Sequence, residues 1–410
     1  MSSKITVCRN CGSKKLESLF SLGKLSFTGK FPKKEKYDVP KDEIKLVKCK
    51  SCNLVQLNRN FNPKYLYGKD YGYRSGINKT MTDHLRKTAK ILSIKSKLKK
   101  NDFVLDIASN DGTLLNSYSR NITKVGIDPI IYKFRKFYKN IQYPINNFFS
   151  FKVLKKKGVN KKFKIITALS VFYDLKKPNI FLNDISQIID KTNGIFLLEH
   201  TDLLSIIKKN LFDTICHEHL EYYSVEVIKN MAQKNNLKIF DIEQNSINGG
   251  SVRFFICHKD AKFKSNFIKV QKYINEERNA GLKTKKCYKL FFNKVLKTKE
   301  TLKNLIKKIK ADGKSIHGYG ASTKGNVLLQ FFNISKKEIP LIADRNIEKN
   351  NSFTPGTKIR IVTEEVSRKK RPNFFLVLPW HFKKEILKRE TKIRKKGTKF
   401  IFPLPKLTIN

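Results

Sequence analysis

Residues 103–115, "FVLDIASNDGTLL", followed at 125–129 by "VGIDP", decide how this chain is read. Phe103 to Ile107 is a short apolar run of the kind that forms a buried strand. The small and polar residues after it make a turn, "TLLNSYS" (113–119) reads as a helix, and a second strand ends at Asp128. Such a turn lets a cofactor approach the backbone, and a carboxylate closing the next strand can accept hydrogen bonds from ribose hydroxyls. Asp106 and Asp128 stand about 20 residues apart, as that geometry requires. The turn reads D-x-A-S-N-D-G rather than G-x-G-x-x-G, which suits a dinucleotide pyrophosphate poorly. A single ribose on an uncharged linker, as in S-adenosylmethionine, suits it better. Asp106, Ala108, Ser109, Asn110, Gly112 and Asp128 are the residues this assigns to the cofactor; an ordinary α/β turn without a ligand is the plain alternative.

Outward from that turn, "MTDHLRKTAKILSIKS" (81–96) reads as a helix, and "FKIITALSV" (163–171) and "GIFLLEH" (194–200) read as further strands. Strands alternating with helices predict a parallel α/β sheet over 66–260. A lysine-rich helical connection over 261–310 leads to a second, smaller α/β unit at 311–410. That unit carries the strands "KSIHGYG" (314–320), "IPLIADR" (339–345) and "FFLVLPW" (374–380). Residues 1–65 form a separate block of short apolar stretches.

That first block contains Cys8-x-x-Cys11 and Cys49-x-x-Cys52. Each pair sits on a tight knuckle, so four thiolates can point at one tetrahedral zinc ion with no open position. The site is structural, folding a block too small for a sizeable core of its own. Seven cysteines, an odd count with four of them in C-x-x-C pairs, fit reduced thiols better than a disulfide framework. The start lacks an apolar leader and no stretch approaches the roughly 20 apolar residues needed to span a bilayer, so a cytoplasmic location is expected.

With 410 residues, 40% hydrophobic and 11% aromatic, the chain is an ordinary multidomain globular protein. The formal charge of +52 invites a nucleic-acid reading, that of an RNA-modifying enzyme with a basic docking surface. The excess is mostly lysine and is spread along the whole chain instead of gathered in a stripe. A solvated basic surface that attracts anionic small molecules is therefore the preferred reading, and nucleic acid is not expected as a partner.

"CHEHLEYYS" (216–224) packs two histidines, two carboxylates and two phenols together. The H-E-x-x-H metal motif fails because the residue three after Glu218 is Glu221. If the segment is extended, His217 and His219 share one face and Glu218 points the other way. An acid–base pair and a hydrogen-bonded polar strand both remain open. "HGYGASTK" (317–324) is a second glycine-rich turn, in which the helix start and Lys324 could hold a phosphate. "INGGSVRF" (247–254) reads as a turn between strands, with Asn248 and its glycines at positive φ. The tyrosines of "YGKDYGYRSG" (67–76) stand at a junction between blocks, and "LPWHF" (378–382) holds the only tryptophan without an evident role.

Taken in order, the C-x-x-C pairs, "YGYRSG", "SNDGTLL", "HEHLEYYS", "NGGSVR" and "GYGASTKGNVLLQ" resemble the sugar C-methyltransferases of nucleotide-activated deoxysugar pathways over nearly the whole chain. The resemblance implies a zinc-binding domain, a class I S-adenosylmethionine-dependent methyltransferase domain and a C-terminal Rossmann-like domain. It implies a nucleotide-linked keto-sugar substrate, with His219 as base, Glu218 setting its tautomer, and Tyr73 or Tyr71 near the keto oxygen. His217, Asn248 and Lys324 are the candidates for holding substrate. Three departures stand out: Ala108 where glycine is commoner, Cys216 where relatives can have tyrosine, and "SVFYDL" (170–175) in place of a histidine-containing stretch. They leave open a relative that has kept the architecture as a binding protein.

Overall fold

The computed structural model describes residues 2–67 and 73–410, without the side chains at 64 and 65. Its largest sheet has seven strands: Phe103–Ile107, Thr123–Ile127, Tyr143–Ile145, Ile165–Leu169, Ile195–His200, Leu237–Asn245 and Ser251–His258. Numbered along the chain, they lie in the order 3-2-1-4-5-7-6, all parallel except the seventh, which runs antiparallel to both neighbours. The inner strands are covered on both faces, which is why Val104, Leu105, Val125, Ile165, Ile166 and Leu197 are all buried and the sequence reads as unbroken apolar runs. Strand order reverses between the first and fourth strands, so ligands are expected at the carboxyl ends there.

The helix Lys79–Lys95, capped by the Asn78 side chain on Met81 N–H, is held to this sheet by a buried charge cluster. Glu199 receives Arg253 Nε at 2.8 Å and faces His84 Nε2 at 2.6 Å, while Arg253 also donates to Thr88 Oγ1. The expected helix over 113–119 is absent. Only a single 3-10 turn forms, Leu115–Ser117. Asp111 takes up the Thr113 N–H and hydroxyl, Ser117 bonds back to the Thr113 carbonyl, and such local side-chain bonds compete with helix propagation.

The zinc-domain sheet is antiparallel, with Leu16–Ser26, Lys41–Cys49 and Val55–Leu57 joined by Glu221–Tyr222 from the far end of the methyltransferase region. The third sheet sets Ile316–Tyr319, Leu341–Asp344, Arg360–Thr363, Phe374–Val377 and Lys399–Phe402 in parallel, with Thr408–Ile409 antiparallel at its edge. The helical connection consists of Phe267–Asn279 and Lys285–Ala311. The second, 27 residues and so about 40 Å long, lies against both outer domains through an apolar stripe that includes Phe291, Val295 and Ile306. No described helix is long and apolar enough to cross a membrane.

One apolar cluster joins the first domain, the segment 203–222, the long helix and the C-terminal domain, through Phe20, Leu46, Phe212, Phe291, Phe332 and Phe375. The seven-stranded sheet packs in two further clusters. The hairpin turn of the seventh strand presses on the C-terminal domain: Gly249, at φ +94°, leaves no room for a Cβ, which would lie 2.5 Å from the Trp380 ring. Trp380 Nε1 donates to buried Asp213 at 2.7 Å. Gly249→Ala combines a left-handed backbone with overpacking against that ring and is expected to cost about 2–4 kcal/mol, read as a lower urea midpoint. A midpoint unchanged from the parent would show that the turn and Trp380 do not pack as described.

Candidate active site

At the carboxyl end of the first strand the chain turns through three left-handed residues, Ala108 (φ +58°), Asn110 (φ +49°) and Gly112 (φ +74°). Ala108 holds a conformation that costs a non-glycine residue about 1–2 kcal/mol, which explains why glycine is the easier choice there. Asp128 fixes the turn by accepting Asn110 N–H at 3.0 Å and Ile130 N–H at 2.9 Å. Asp106 accepts the Thr167 hydroxyl at 2.6 Å. Burial pushes Asp106 up to about 7 and Asp128 up to about 6. Among the described residues neither carboxylate has a cationic partner, so a ligand bringing a sulfonium, an ammonium and a ribose diol fits their chemistry. The Ser109 hydroxyl lies 2.8 Å from Tyr138 OH.

The side chains of Asn110 and Asp111 hold the segment before the first helix. Asn110 accepts Ser75 N–H at 2.9 Å and donates to the Tyr73 carbonyl at 3.2 Å, and Asp111 accepts Gly76 N–H at 2.9 Å. The Asn110 amide is therefore turned toward this strap. Tyr73 is 46% exposed, and Tyr71 lies outside the described residues.

Residues 216–219 form a turn instead of an extended strand, closed by His219 N–H on the Cys216 carbonyl at 3.2 Å. The three side chains consequently diverge. His217 is fully buried, edge-on to Phe27 and Phe61 with ring centroids 4.7 and 4.9 Å away. Glu218 accepts the Thr28 hydroxyl at 3.1 Å, so it does not set the tautomer of His219. That task falls to the Thr214 carbonyl, 2.7 Å from His219 Nδ1. A carbonyl can only accept, so Nδ1 carries the proton and Nε2 keeps a free lone pair. The Tyr173 ring packs on the imidazole at 4.1 Å between centroids. Burial and the nearby Lys324 charge push His219 down to about 3.

Lys324 comes from the C-terminal domain and donates to the Asn248 carbonyl at 3.0 Å. Asn248, at φ +55°, in turn donates to Ser170 Oγ at 3.3 Å. Lys324 also acts on buried Asp213 and on His381, whose Nδ1 has no hydrogen-bond partner among the described residues. Thr214 and Asp213 escaped sequence reasoning, whereas the sequence offers Tyr173 or Asp174 as a substitute for a relay group in the stretch 170–175 that also holds Ser170, and shows His381 without a role. Thr214 acts through its backbone, and Asp213 carries no distinctive spacing. The C-terminal glycine turn is filled from within: Asp344 accepts Ala321 and Asn346 N–H at 2.7 Å each, and Lys349 covers the Ala321 carbonyl.

In the first domain the Sγ atoms of Cys8, Cys11, Cys49 and Cys52 all lie within 4.8 Å of one another. Cys8–Cys52 at 3.6 Å and Cys11–Cys49 at 3.5 Å match the edges of a tetrahedron with Zn–S bonds of about 2.3 Å. Both knuckles bend through left-handed residues, Gly12 and Asn53. The site fits zinc.

This combination of sheet order, cofactor turn and thiolate cluster is that of an S-adenosylmethionine-dependent methyltransferase with a structural zinc. Three family models match consecutive stretches: a zinc binding domain over 8–67, a methyltransferase domain over 73–242 and a C-methyltransferase C-terminal domain over 246–405. The chain belongs to the three-domain C-methyltransferases they describe. It is 26% identical to C-methyltransferase NovU of Streptomyces niveus over 415 residues, covering 98% of this chain and 96% of that protein. Among solved structures, an S-adenosylmethionine-dependent methyltransferase from Clostridium acetobutylicum ATCC 824 matches at 12% identity, with 43% of this chain, 92% of that one and a TM-score of 0.36. The PH0226 protein from Pyrococcus horikoshii OT3 matches at 16% identity, covering 49% and 100%, with a TM-score of 0.37.

The state of His219 can be read directly. Its folded value lies below the ordinary histidine value, so its contribution to stability is present at neutral pH and is lost as pH falls through 6.5 toward 3. The raised carboxyls Asp106 and Asp128 act in the opposite sense over the same range, so global unfolding blurs the effect. An NMR titration of the histidine ring protons is expected to leave His219 neutral down to about pH 5, against an ordinary midpoint of about 6.5.

Proposed function

We propose that the chain transfers a methyl group to the carbon next to the keto group of a nucleotide-linked deoxysugar. The observation that carries this reading is the fixed tautomer of His219, with Nδ1–H spent on the Thr214 carbonyl and Nε2 free. Methylation at such a carbon needs a base for a weakly acidic C–H, and a neutral imidazole with one lone pair available is such a base. A hydroxyl substrate makes a smaller demand for a fixed base. The match to NovU, a C-methyltransferase, supports the same carbon chemistry.

S-adenosylmethionine, held by the turn from Asp106 to Gly112 and by Asp128, supplies the electrophilic methyl. His219 Nε2 removes the proton, leaving an enolate on the substrate. Lys324, anchored on Asn248, offers an ammonium to the enolate oxygen or to the substrate's phosphates. Burial is the larger cause that holds His219 near 3, and the Lys324 charge is the smaller, ligand-sensitive one. In the empty site that charge disfavours the imidazolium. An anionic substrate neutralising Lys324 raises His219 toward a useful value as the substrate arrives. Tyr173 keeps the imidazole plane fixed through ring contact.

The test is incubation with S-adenosylmethionine and a panel of nucleotide-linked 4-keto-sugars, following addition of one methyl by mass and its position by NMR. Carbon methylation is expected, with deuterium exchange from solvent at the same carbon. His219→Ala should lose on the order of 10²–10⁴-fold in turnover while S-adenosylhomocysteine affinity holds. Methyl transfer to a hydroxyl oxygen, or to none of the sugars, would sink the proposal.

A further inference from the structure

The zinc knuckle and the residue beside the base are joined by one buried side chain. Arg9 lies between the two thiols of the first knuckle, and its side chain is only 3% exposed. Its guanidinium donates from Nη1 to the Leu57 carbonyl at 2.8 Å and to the Leu220 carbonyl at 3.4 Å, and from Nη2 to the Arg59 carbonyl at 2.6 Å. Nε donates to Asn60 Oδ1 and stands 3.6 Å from the Glu221 carboxylate. Among the described residues both Glu221 oxygens are buried without a hydrogen bond; burial pushes this carboxyl well up, and the Arg9 guanidinium is the cation that opposes the shift. The fully buried Gln56 completes the link. It accepts the Arg9 backbone N–H, donates to Cys8 Sγ at 3.3 Å and stands opposite Glu221 in the sheet.

Leu220 and Glu221 immediately follow His219. Leu220 N–H donates to the Tyr173 carbonyl at 2.7 Å, its carbonyl accepts Leu57 N–H at 2.8 Å, and Tyr222 OH donates to the His219 carbonyl at 3.0 Å. Past His219 the described bonds toward the first domain end on the strand Val55–Leu57 or on Arg9, while within the turn Glu218 and His217 meet Thr28 and the Asp42 carbonyl. A loop held only from its methyltransferase side would keep the Tyr173 bond and lose the rest.

We propose that Arg9 is a positioning residue that ties the zinc clip to the loop carrying His219, so that the metal's presence is felt at the base and not only in the fold of the first domain. This rests on His219 being the base. Misplacement by about 1 Å at a base costs on the order of 10²-fold in turnover, so a modest loosening here is enough to silence the site. The cofactor turn at 106–112 is anchored separately, through Asp128, and stays intact.

The experiment uses the full zinc-loaded chain and two variants, Arg9→Lys, which keeps a cation beside Glu221 but lacks the fork, and Glu221→Gln, which replaces the buried carboxyl facing Arg9 by an amide with little change of shape. Zinc is expected to stay at one per chain and S-adenosylhomocysteine affinity to stay within about twofold, since neither variant replaces a metal ligand or a residue of the cofactor turn. Amide hydrogen exchange over 214–223 should quicken by about tenfold or more while 103–130 holds. His219 should titrate closer to its ordinary value in both, and kcat should fall without a matching change in KM for S-adenosylmethionine. Chelating zinc from the parent chain should produce the same local exchange pattern, which keeps the test valid if a variant does not fold. Unchanged exchange and titration at 214–223 in variants or after chelation would overturn the proposal, as would equal loosening of 103–130. The exchange and titration need no substrate. If the loop loosens but the parent methylates no keto-sugar, the positioning role stands and the substrate reading falls.

Discussion

The geometry of the site depends on the peptide at Leu220. Its N–H goes to Tyr173 at the carboxyl end of the methyltransferase sheet, and its carbonyl goes to Leu57 in the zinc domain. One residue thus satisfies both backbone groups on two different domains, and the histidine before it can adopt only the orientation those bonds permit. Buried backbone groups left unpaired cost as much as a lost hydrogen bond, so the chain has strong reason to hold both. The strand Glu221–Tyr222 extends the same pairing into the antiparallel sheet. A small domain with little core of its own is thereby made part of the catalytic frame, with zinc supplying the rigidity that its size does not.

Charge is distributed to serve this frame. The surface carries the +52 excess, while burial near the site shifts several groups toward their neutral forms. His200 and His217 are pushed down to about 4, and Asp106 and Asp128 are pushed up. Each shift runs in the direction that desolvation requires. Lys324 reaches inward beside buried Asp213, where burial lowers its pKa as well, and it lies where an anionic ligand would be welcome.

The parts of this protein that were legible in its sequence are those set by local pattern. Phe103–Ile107 and Thr123–Ile127 announce themselves as apolar runs ending at carboxylates, and two C-x-x-C knuckles announce a tetrahedral site. The positive φ of Asn248 was readable from the Asn-Gly-Gly sequence. The direction of three neighbouring side chains was not. His217, Glu218 and His219 look like a strand because the residues after them are one, yet the Cys216–His219 turn sends each a different way. Nothing in the segment itself specifies that turn; it is imposed by Leu220 pairing on both sides. The Thr214 carbonyl is invisible for a simpler reason, since any residue at that position supplies one. Trp380 and Asp213 meet across 167 positions of chain, and no local signal joins them.

The C-terminal domain shows how a familiar architecture can be put to a different use. Its strands and glycine turn follow a nucleotide-binding plan, with Asp344 ending the second strand where a ribose carboxylate would stand. One oxygen of Asp344 accepts the turn's Ala321 amide and the other the Asn346 amide two residues on, and Lys349 covers the Ala321 carbonyl. The helix that follows, Thr323–Phe332, is capped by Ser322 and turned toward the other domains, where Asn326 and Gln330 bond the backbone of Thr28 and Ser26. Lys324, in its first turn, points the same way and reaches Asn248. The element that opens a cofactor site in a free-standing fold of this type is here a wall of the neighbouring site. A wall of that kind can be shaped to one substrate without disturbing the methyl-donor turn, because the two share no anchoring side chain.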